Sequence, residues 1–136
     1  MSVQFQDFSI QVENAIDEKV ERFLYESAEL ISGQAAQITP IKTGQLKGSW
    51  DYKVDLDRKE ARIGSPLENA IWNEFGTGEH ALHGDGRKGG WSYQDDSGNW
   101  HHTYGKKPQR TLQMTFNAKK NSIINFARQL FGELGR

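Results

Sequence analysis

Cysteine is missing from all 136 residues of the chain, and proline occurs only three times. The lack of cysteine excludes disulfide bonds and thiol chemistry, and it fits synthesis in a reducing cytoplasm. No apolar run approaches the roughly 18 residues of a membrane-spanning helix. The first residues, MSVQFQDFSIQ, lack the basic start and apolar core of a secretory signal, so we expect none. The hydrophobic content of 35% predicts one globular domain, residues 1–136.

Charge is nearly balanced overall, at −1, but it is unevenly placed. Residues 1–30 hold seven acidic and two basic side chains, whereas residues 106–136 hold seven basic and one acidic. Two interpretations stay open. One is two helices packed side by side with complementary outer faces, or simply two solvated faces; the other is a polarised surface that docks onto copies of itself or other charged proteins. The basic end lacks the dense clusters of a dedicated nucleic-acid binder.

Apolar spacing predicts an α+β fold with long helices at both ends of the chain. Residues 9–37 form the first predicted helix, and the second runs from Arg110. Their apolar stripes consist of Val12, Ile16, Val20, Phe23, Leu24, Ile31 and Ala35 in the first, and Leu112, Phe116, Ile123, Ala127, Leu130 and Leu134 in the second, flanked by Phe126 and Phe131. Each stripe is broad enough to bury against a sheet or a partner.

Strict alternation predicts a small antiparallel sheet between these helices. Residues 50–56 alternate apolar with charged side chains, and residues 60–64 return with Ala61 and Ile63 facing inward. Before this sheet, Thr43 is a plausible N-cap for a single helical turn.

Residues 79–107 form an inserted segment rich in glycine, histidine and aromatic residues, with a second predicted hairpin at 89–104 that extends the sheet. A tight turn at Ser97-Gly98 would place Tyr93 opposite His102 and Trp91 opposite Tyr104. All four side chains would then share one face of the hairpin.

The stretch ENAIWNEFGTGEH, residues 68–80, is the part of the sequence that most resembles a ligand-binding loop or a catalytic site. A phosphate loop is not supported, because Glu79 follows Gly76-Thr77-Gly78 where a lysine is required. No serine sits in a Gly-x-Ser-x-Gly elbow. Glu74 is a candidate general acid or base because of its apolar surroundings. The structural alternative, which we prefer, is that its carboxylate binds the backbone amides of residues 76–78.

A zinc site is the strongest chemical alternative. The four histidines, His80, His83, His101 and His102, all lie in the inserted segment. The first two have a spacing that could share one metal. The last two are adjacent, so on a strand they point to opposite faces and only one could join a common site. Surface or packing histidines are therefore the preferred interpretation.

The aromatic hairpin has two possible uses. Trp91, Tyr93, Trp100 and Tyr104 could stack on nucleic-acid bases, with the basic side chains Arg87, Lys88, Lys106 and Lys107 on phosphates. The carboxylates of Asp85, Asp95 and Asp96 weaken the positive potential of these basic side chains. Aromatic side chains of this kind equally anchor protein–protein contacts, and we predict that these four residues form a partner contact.

Two short motifs carry a resemblance to a known family. The first is TPIKTGQLKGSW, with Thr39, Pro40, Thr43, Gly44 and Leu46; the second is ENAIWNEFGTG, with Ala70, Glu74, Phe75, Gly76 and Thr77. Both resemble the tail-completion or head–tail joining proteins of long-tailed bacteriophages and prophages, the gene-product-ten type of tail component. The hairpin resembles an insertion found in some members. The chain departs from the family at its last helix, where Arg110-Thr111-Leu112 replaces the usual Arg-Pro-Phe.

The resemblance implies a structural protein rather than an enzyme, with no catalytic residues, no cofactor and no metal. It implies that NEFGTG ends a short helix at a turn, which Trp72 and Phe75 bind to the core and whose dihedral angles Gly76 and Gly78 allow. It implies a ring of identical subunits at the neck or head-proximal end of the tail, made in the bacterial host cytoplasm. The implied partners are itself and neck, tail-terminator or tail-tube proteins. Membranes are not expected as partners, nor is nucleic acid, apart from DNA passing through the ring. The alternative is a zinc-binding domain or enzyme built on the four histidines.

Overall fold

The computed structural model describes residues 9–40 and 44–135, and it confirms the α+β class. These ranges contain four helices and four strands. They are α1 (Ser9–Ile38), α2 (Gly44–Lys47), β1 (Asp51–Asp55), β2 (Glu60–Gly64), α3 (Asn69–Phe75), β3 (Trp91–Gln94), β4 (Trp100–Thr103) and α4 (Thr111–Gly132). Short 3-10 turns lie at Gly78–His80 and Glu133–Gly135. No helix in the described ranges meets the length and apolarity that crossing a bilayer requires.

The sheet of β1 and β2 follows the predicted alternation. The strands pair antiparallel, with Tyr52 opposite Ile63 and Val54 opposite Ala61. These side chains are partly buried, while the alternate residues of β1 are exposed. Helix α1 packs against both strands, and the Tyr52 hydroxyl group lies 3.0 Å from a carboxylate oxygen of Glu29. The apolar face of the hairpin is thus covered by the first helix.

Helices α1 and α4 pack side by side, as the first of the two charge interpretations predicts. The ring of Phe23 stacks on that of Phe126 at 6.0 Å between centroids, and Phe131 lies 6.1 Å away. An ion pair joins Lys19 to Glu133. The C-terminal end of α4 therefore lies beside Lys19, one-third of the way along α1.

The buried core is small. Its fully buried apolar residues are Ala28, Ala35, Leu46 and Leu130. Four members of the predicted stripes are exposed instead: Val12 (54%), Ile16 (37%), Phe116 (52%) and Leu134 (39%). For Val12 and Ile16 the physical reason is length, because α1 begins ten residues before its ion pair with the end of α4. These positions have the spacing of a core face, but the described residues leave them exposed.

The predicted extension of the first sheet is wrong. Strands β3 and β4 pair only with each other and form a second two-stranded sheet. Between β2 and β3 the chain passes through α3 and the turn after it, and that turn is hydrogen-bonded to residues 104–106. The second hairpin is therefore anchored at its base to the α3 turn and not to the edge of β2.

Candidate assembly interface

A buried carboxylate joins α3 to α4. Glu74 is only 7% exposed, and its two oxygens accept hydrogen bonds from the backbone amides of Leu112 (2.8 Å) and Gln113 (3.1 Å). The guanidinium group of Arg110 lies 3.7 Å from the same carboxylate. The predicted amides, those of residues 76–78, are not its partners. Glu74 binds backbone amides as predicted, but at the start of a helix 38 residues further along.

The start of α4 explains this choice of partner. The first amides of a helix have no acceptor within the helix, and they attract negative charge. Arg110, which precedes the helix, has a left-handed backbone with φ of 56° and provides no side-chain cap. Glu74 supplies the missing acceptor for the amides of Leu112 and Gln113.

The aromatic residues of α3 are placed differently from the prediction. Trp72 and Phe75 were expected to bind this turn to the core, but they are 47% and 39% exposed. The buried side chains of α3 are the polar ones, Asn73 and Glu74, because these face α4. The Asn73 side-chain amide donates to Thr111 Oγ1 at 2.8 Å. Trp72 and Phe75 therefore belong to the surface of the protein.

Two glycines shape the turn after α3. Gly76 and Gly78 have φ of 74° and 60°, the left-handed region that favours glycine, as predicted. A Cβ atom at Gly78 would lie 2.3 Å from the carbonyl oxygen of Tyr104. The close approach is held by backbone hydrogen bonds, from the Thr77 amide to the Lys106 carbonyl (2.9 Å) and from the Glu79 amide to the Tyr104 carbonyl (2.8 Å). These contacts fix the base of the second hairpin.

The TPIKTGQLKGSW segment caps the C-terminal end of α1 with hydrogen bonds. The Thr39 hydroxyl group donates to the carbonyl of Ala35 at 2.6 Å and accepts from the Trp50 indole at 2.8 Å. Leu46 is buried. The Lys47 ammonium group lies 2.6 Å from the Ala36 carbonyl oxygen, one of the carbonyls that a helix end leaves free. Pro40 lies two residues after the end of the helix, Gly44 begins α2, and Thr43 lies outside the described residues.

Sequence reasoning missed the roles of Lys47 and Trp50. A lysine ten residues after the end of a predicted helix gives no local signal, because the contact depends on how the chain returns through α2. Trp50 was recognised as an inward-facing strand residue, but not as the donor to Thr39. Thr39 and Leu46, two members of the motif, thus have structural roles at the end of α1.

The second hairpin has a register different from the predicted one. The observed pairs are Trp91 with Thr103 and Tyr93 with His101, rather than Tyr104 and His102. The four side chains predicted to share one face, those of Trp91, Tyr93, His102 and Tyr104, consequently do not: His102 pairs with Ser92 on the opposite face, and Tyr104 lies beyond the end of β4.

A three-residue loop causes this shift. The Asp95 amide donates to the Asn99 carbonyl at 2.8 Å, so residues 96–98 form the loop rather than Ser97-Gly98 alone. Loops of this length commonly place glycine in the left-handed region at their last position, and Gly98 has φ of 85°. The Asp95 carboxylate accepts from the amides of Ser97 (2.9 Å) and Asn99 (2.8 Å). The side chain of Asp95 thus stabilises the longer loop.

Most of the hairpin's aromatic surface lies in solvent. Trp100 is 71% exposed, Tyr104 52% and Tyr93 46%. By comparison, Trp50, Tyr52 and Val54 of the first sheet are partly buried, whereas Leu56 at the end of its apolar row is 44% exposed. Trp91 differs, because its ring lies against Gly78 and under the guanidinium group of Arg87 at 5.6 Å. Trp91 therefore anchors the hairpin, while the other three aromatic side chains are available to a partner.

Comparison with protein families connects these features to a known group of proteins. A family model described as "Bacteriophage HK97-gp10, putative tail-component" matches residues 4–76, more than half of the chain. The chain belongs to this family. Comparisons with curated proteins and with solved structures found no match.

The matched region contains α1, the segment that closes it, the first sheet and α3 with Glu74. The first motif of the resemblance lies inside it, and the second does so up to Gly76, with Thr77 just beyond. The aromatic hairpin and α4 lie beyond it, although α4 is where Glu74 finds its partners. Family membership makes this protein a phage tail component and indicates a place in the virion.

The histidines of this tail component do not converge. Within residues 9–40 and 44–135, no three side chains of histidine, aspartate or glutamate are grouped to hold a metal ion. His83 stacks on Phe75 at 5.5 Å, His101 binds Asp95 at 2.8 Å, and His102 lies 3.2 Å from the hydroxyl of Ser92 on the other face. Each of these three histidines therefore makes a separate contact with a neighbouring side chain.

We predict that the loop at the tip of the hairpin depends on pH through the Asp95 carboxyl group. Hydrogen bonding to His101, and then to the backbone amide of Asn99, lowers the pKa of the Asp95 carboxyl group below its ordinary 3.8. Because the pKa is lower in the folded state, the carboxylate stabilises the loop at pH values above 3.8, and this contribution is lost as the pH falls through the lowered pKa. We expect the NMR signals of the Ser97 and Asn99 amides to shift together in that acidic range.

Asp95→Ala should produce the shifted amide signals at neutral pH, with faster hydrogen exchange at both positions. Asp96→Ala is the matched control, because no hydrogen bond is seen for this neighbouring loop carboxylate among the described residues. Unchanged Ser97 and Asn99 signals in Asp95→Ala would show that the carboxylate does not hold the loop.

Proposed function

We propose that this tail component acts in head–tail joining or tail completion, as a non-enzymatic subunit of an oligomeric ring. The observation that carries the proposal is the combination of family membership with a hairpin that leaves Trp100 71% exposed. Large exposed aromatic residues are typical of protein contact sites. A structural subunit of a phage particle is expected to bury such residues when it assembles.

The proposed partners are other copies of the chain and the neck, tail-terminator or tail-tube proteins of the phage. The proposed location is the neck or the head-proximal end of the tail, after synthesis in the host cytoplasm. Nucleic acid enters only as DNA passing through the ring. Trp100, Tyr93 and Tyr104 are the proposed contact residues, whereas Trp91 serves to hold the hairpin in place.

The state of Glu74 supports a non-enzymatic role. This carboxylate was the one candidate for acid–base chemistry in the opening motif. Both of its oxygens are engaged by the amides of α4, and the side chain is nearly inaccessible to solvent. A general acid or base must reach the proton that it transfers, and Glu74 is committed to joining two helices.

Deletion of the gene from a phage or inducible prophage that carries it tests the proposed function. We expect lysates in which DNA-filled heads and complete tails accumulate separately under the electron microscope. Joined, infectious particles, or the absence of tails altogether, would contradict a role in joining or completion.

Complementation of the deletion tests the hairpin. Trp100→Ala combined with Tyr104→Ala should fail to restore infectious particles while the purified domain stays folded. Leu56→Ala is the control, because Leu56 is 44% exposed and lies outside the hairpin. Full complementation by the double variant would remove the hairpin from the set of contacts.

A further inference from the structure

We propose that copies of this chain join head to tail, with the N-terminal part of α1 from one copy seated in a groove between α3 and α4 of the next. The proposal deepens the ring function proposed above and rests on it. We call residues 9–18 the α1 arm. We call the other surface the α3–α4 groove, a depression of about 440 Å³ lined by Trp50, Ile71, Phe75, Arg110, Leu112 and Phe116.

The α1 arm is a core-type helix face without a cover. Val12 and Ile16 precede Val20 and Phe23 at steps of four, four and three residues, the spacing of one helical face. Phe23 packs on α4, but Val12 and Ile16 are 54% and 37% exposed. The same stripe is therefore buried where α4 covers it and exposed where α4 has ended.

The α3–α4 groove is the complementary surface. Its apolar lining includes Ile71 at 61% exposure, Phe116 at 52% and Phe75 at 39%. The volume is in the range of about 300–1,000 Å³ that proteins use for bound groups. Exposed aliphatic and aromatic side chains in a concave surface are suited to receive the apolar face of a helix.

Charge favours pairing between the two surfaces over pairing of either with itself. Residues 9–18 contain three carboxylates and no basic side chain, whereas residues 110–120 contain three basic side chains and no carboxylate. Two of the basic groups lie over the groove's own rings: Arg110 is 5.3 Å from the centre of Phe75, and Lys120 is 5.8 Å from that of Phe116. A contact between two arms would bring their carboxylates, which have the same charge, close together.

The two surfaces lie at opposite ends of one molecule. The arm extends past the C-terminal end of α4, marked by the Lys19–Glu133 ion pair, while the groove includes the first two turns of α4. Phe116 is 17 residues from Glu133, which is about 25 Å along a helix. An arm cannot reach the groove of its own chain. The contact must be between copies, and repeating such a heterologous contact generates a ring or a filament.

Disulfide trapping tests this contact without background, because the chain has no cysteine. Val12→Cys combined with Ile71→Cys places one thiol on the arm and one in the groove, and cysteine keeps both sites apolar. Under mild oxidation of the purified full-length chain, we expect a ladder of dimers, trimers and larger species on a non-reducing gel. Each single variant should stop at dimers.

Val12→Cys with Ile124→Cys is the matched control, because Ile124 lies on α4, is 39% exposed and does not line the groove. It should give no ladder. Adding Ile16→Asp to the test pair should abolish the ladder, since Ile16 is partly exposed and its replacement leaves the core intact.

No ladder from the test pair, or an equal ladder from the control, would overturn the arm–groove contact. Such a result combined with separate heads and tails in the gene deletion would remove this contact and leave the proposed function standing. A ladder combined with normal joining in the deletion would retain the contact and remove the function.

Discussion

Glu74→Ala is expected to lower the free energy of unfolding by about 2–4 kcal/mol. Two backbone amides at the start of α4 would lose a charged acceptor, and hydrogen bonds to charged groups contribute about 1.5–3 kcal/mol. The site is nearly closed to water, so the amides of Leu112 and Gln113 would be left poorly satisfied. Urea denaturation followed by circular dichroism gives the value directly.

Glu74→Gln distinguishes an acceptor role from simple packing. The two amides bind different oxygens of the carboxylate, and glutamine has only one oxygen, so its NH₂ group would face a donor. We expect a loss of about 1–3 kcal/mol in spite of the preserved shape. Glu68→Gln, at an exposed position six residues earlier, should change stability by no more than about 0.5 kcal/mol. Equal effects at the two positions would contradict the proposed link between α3 and α4.

Gly78→Ala is expected to cost about 3 kcal/mol or more, or to prevent the hairpin from docking. The left-handed backbone at φ of 60° penalises any side chain by about 1–2 kcal/mol. The added methyl group would also lie 2.3 Å from the carbonyl oxygen of Tyr104. That oxygen belongs to the backbone, so it cannot rotate away, and the hydrogen bond from the Glu79 amide to it would be displaced.

Gly84→Ala isolates the steric part of this effect. Gly84 has a similar φ of 70°, but a Cβ atom there meets nothing within 4 Å. We expect it to lose only the backbone penalty of about 1–2 kcal/mol. Thermal unfolding measures both variants, and limited proteolysis of residues 79–107 reports whether the hairpin is detached. If the two variants are equally stable, the close approach at Gly78 does not organise the hairpin.

Local patterns in the sequence predicted the regular elements of this fold. The alternation around Tyr52 and Val54 identified β1 and its inward face, and the three- and four-residue steps from Val20 identified α1. These patterns are properties of one element, so they do not state where the neighbouring element ends. For that reason Val12 and Phe116 have the spacing of core residues but lie in solvent.

Features that depend on specific side-chain hydrogen bonds, one distant and one within a loop, were the ones predicted wrongly. Glu74 was expected to bind backbone amides, and it does so, but the amides belong to α4 because that helix has no cap of its own. The hairpin register failed by one residue because Asp95 stabilises a three-residue loop, and a shift of one residue moves every side chain to the other face. Both errors come from hydrogen bonds that spacing alone does not reveal.

A cryo-electron microscopy reconstruction of the neck of the phage particle that carries this gene would test the proposed ring. We expect a ring of this chain between the head and the tail tube, with Trp100 and Tyr104 of each copy buried in a protein contact. A particle in which the chain is found away from the head–tail junction, or is absent from the purified virion, would contradict it.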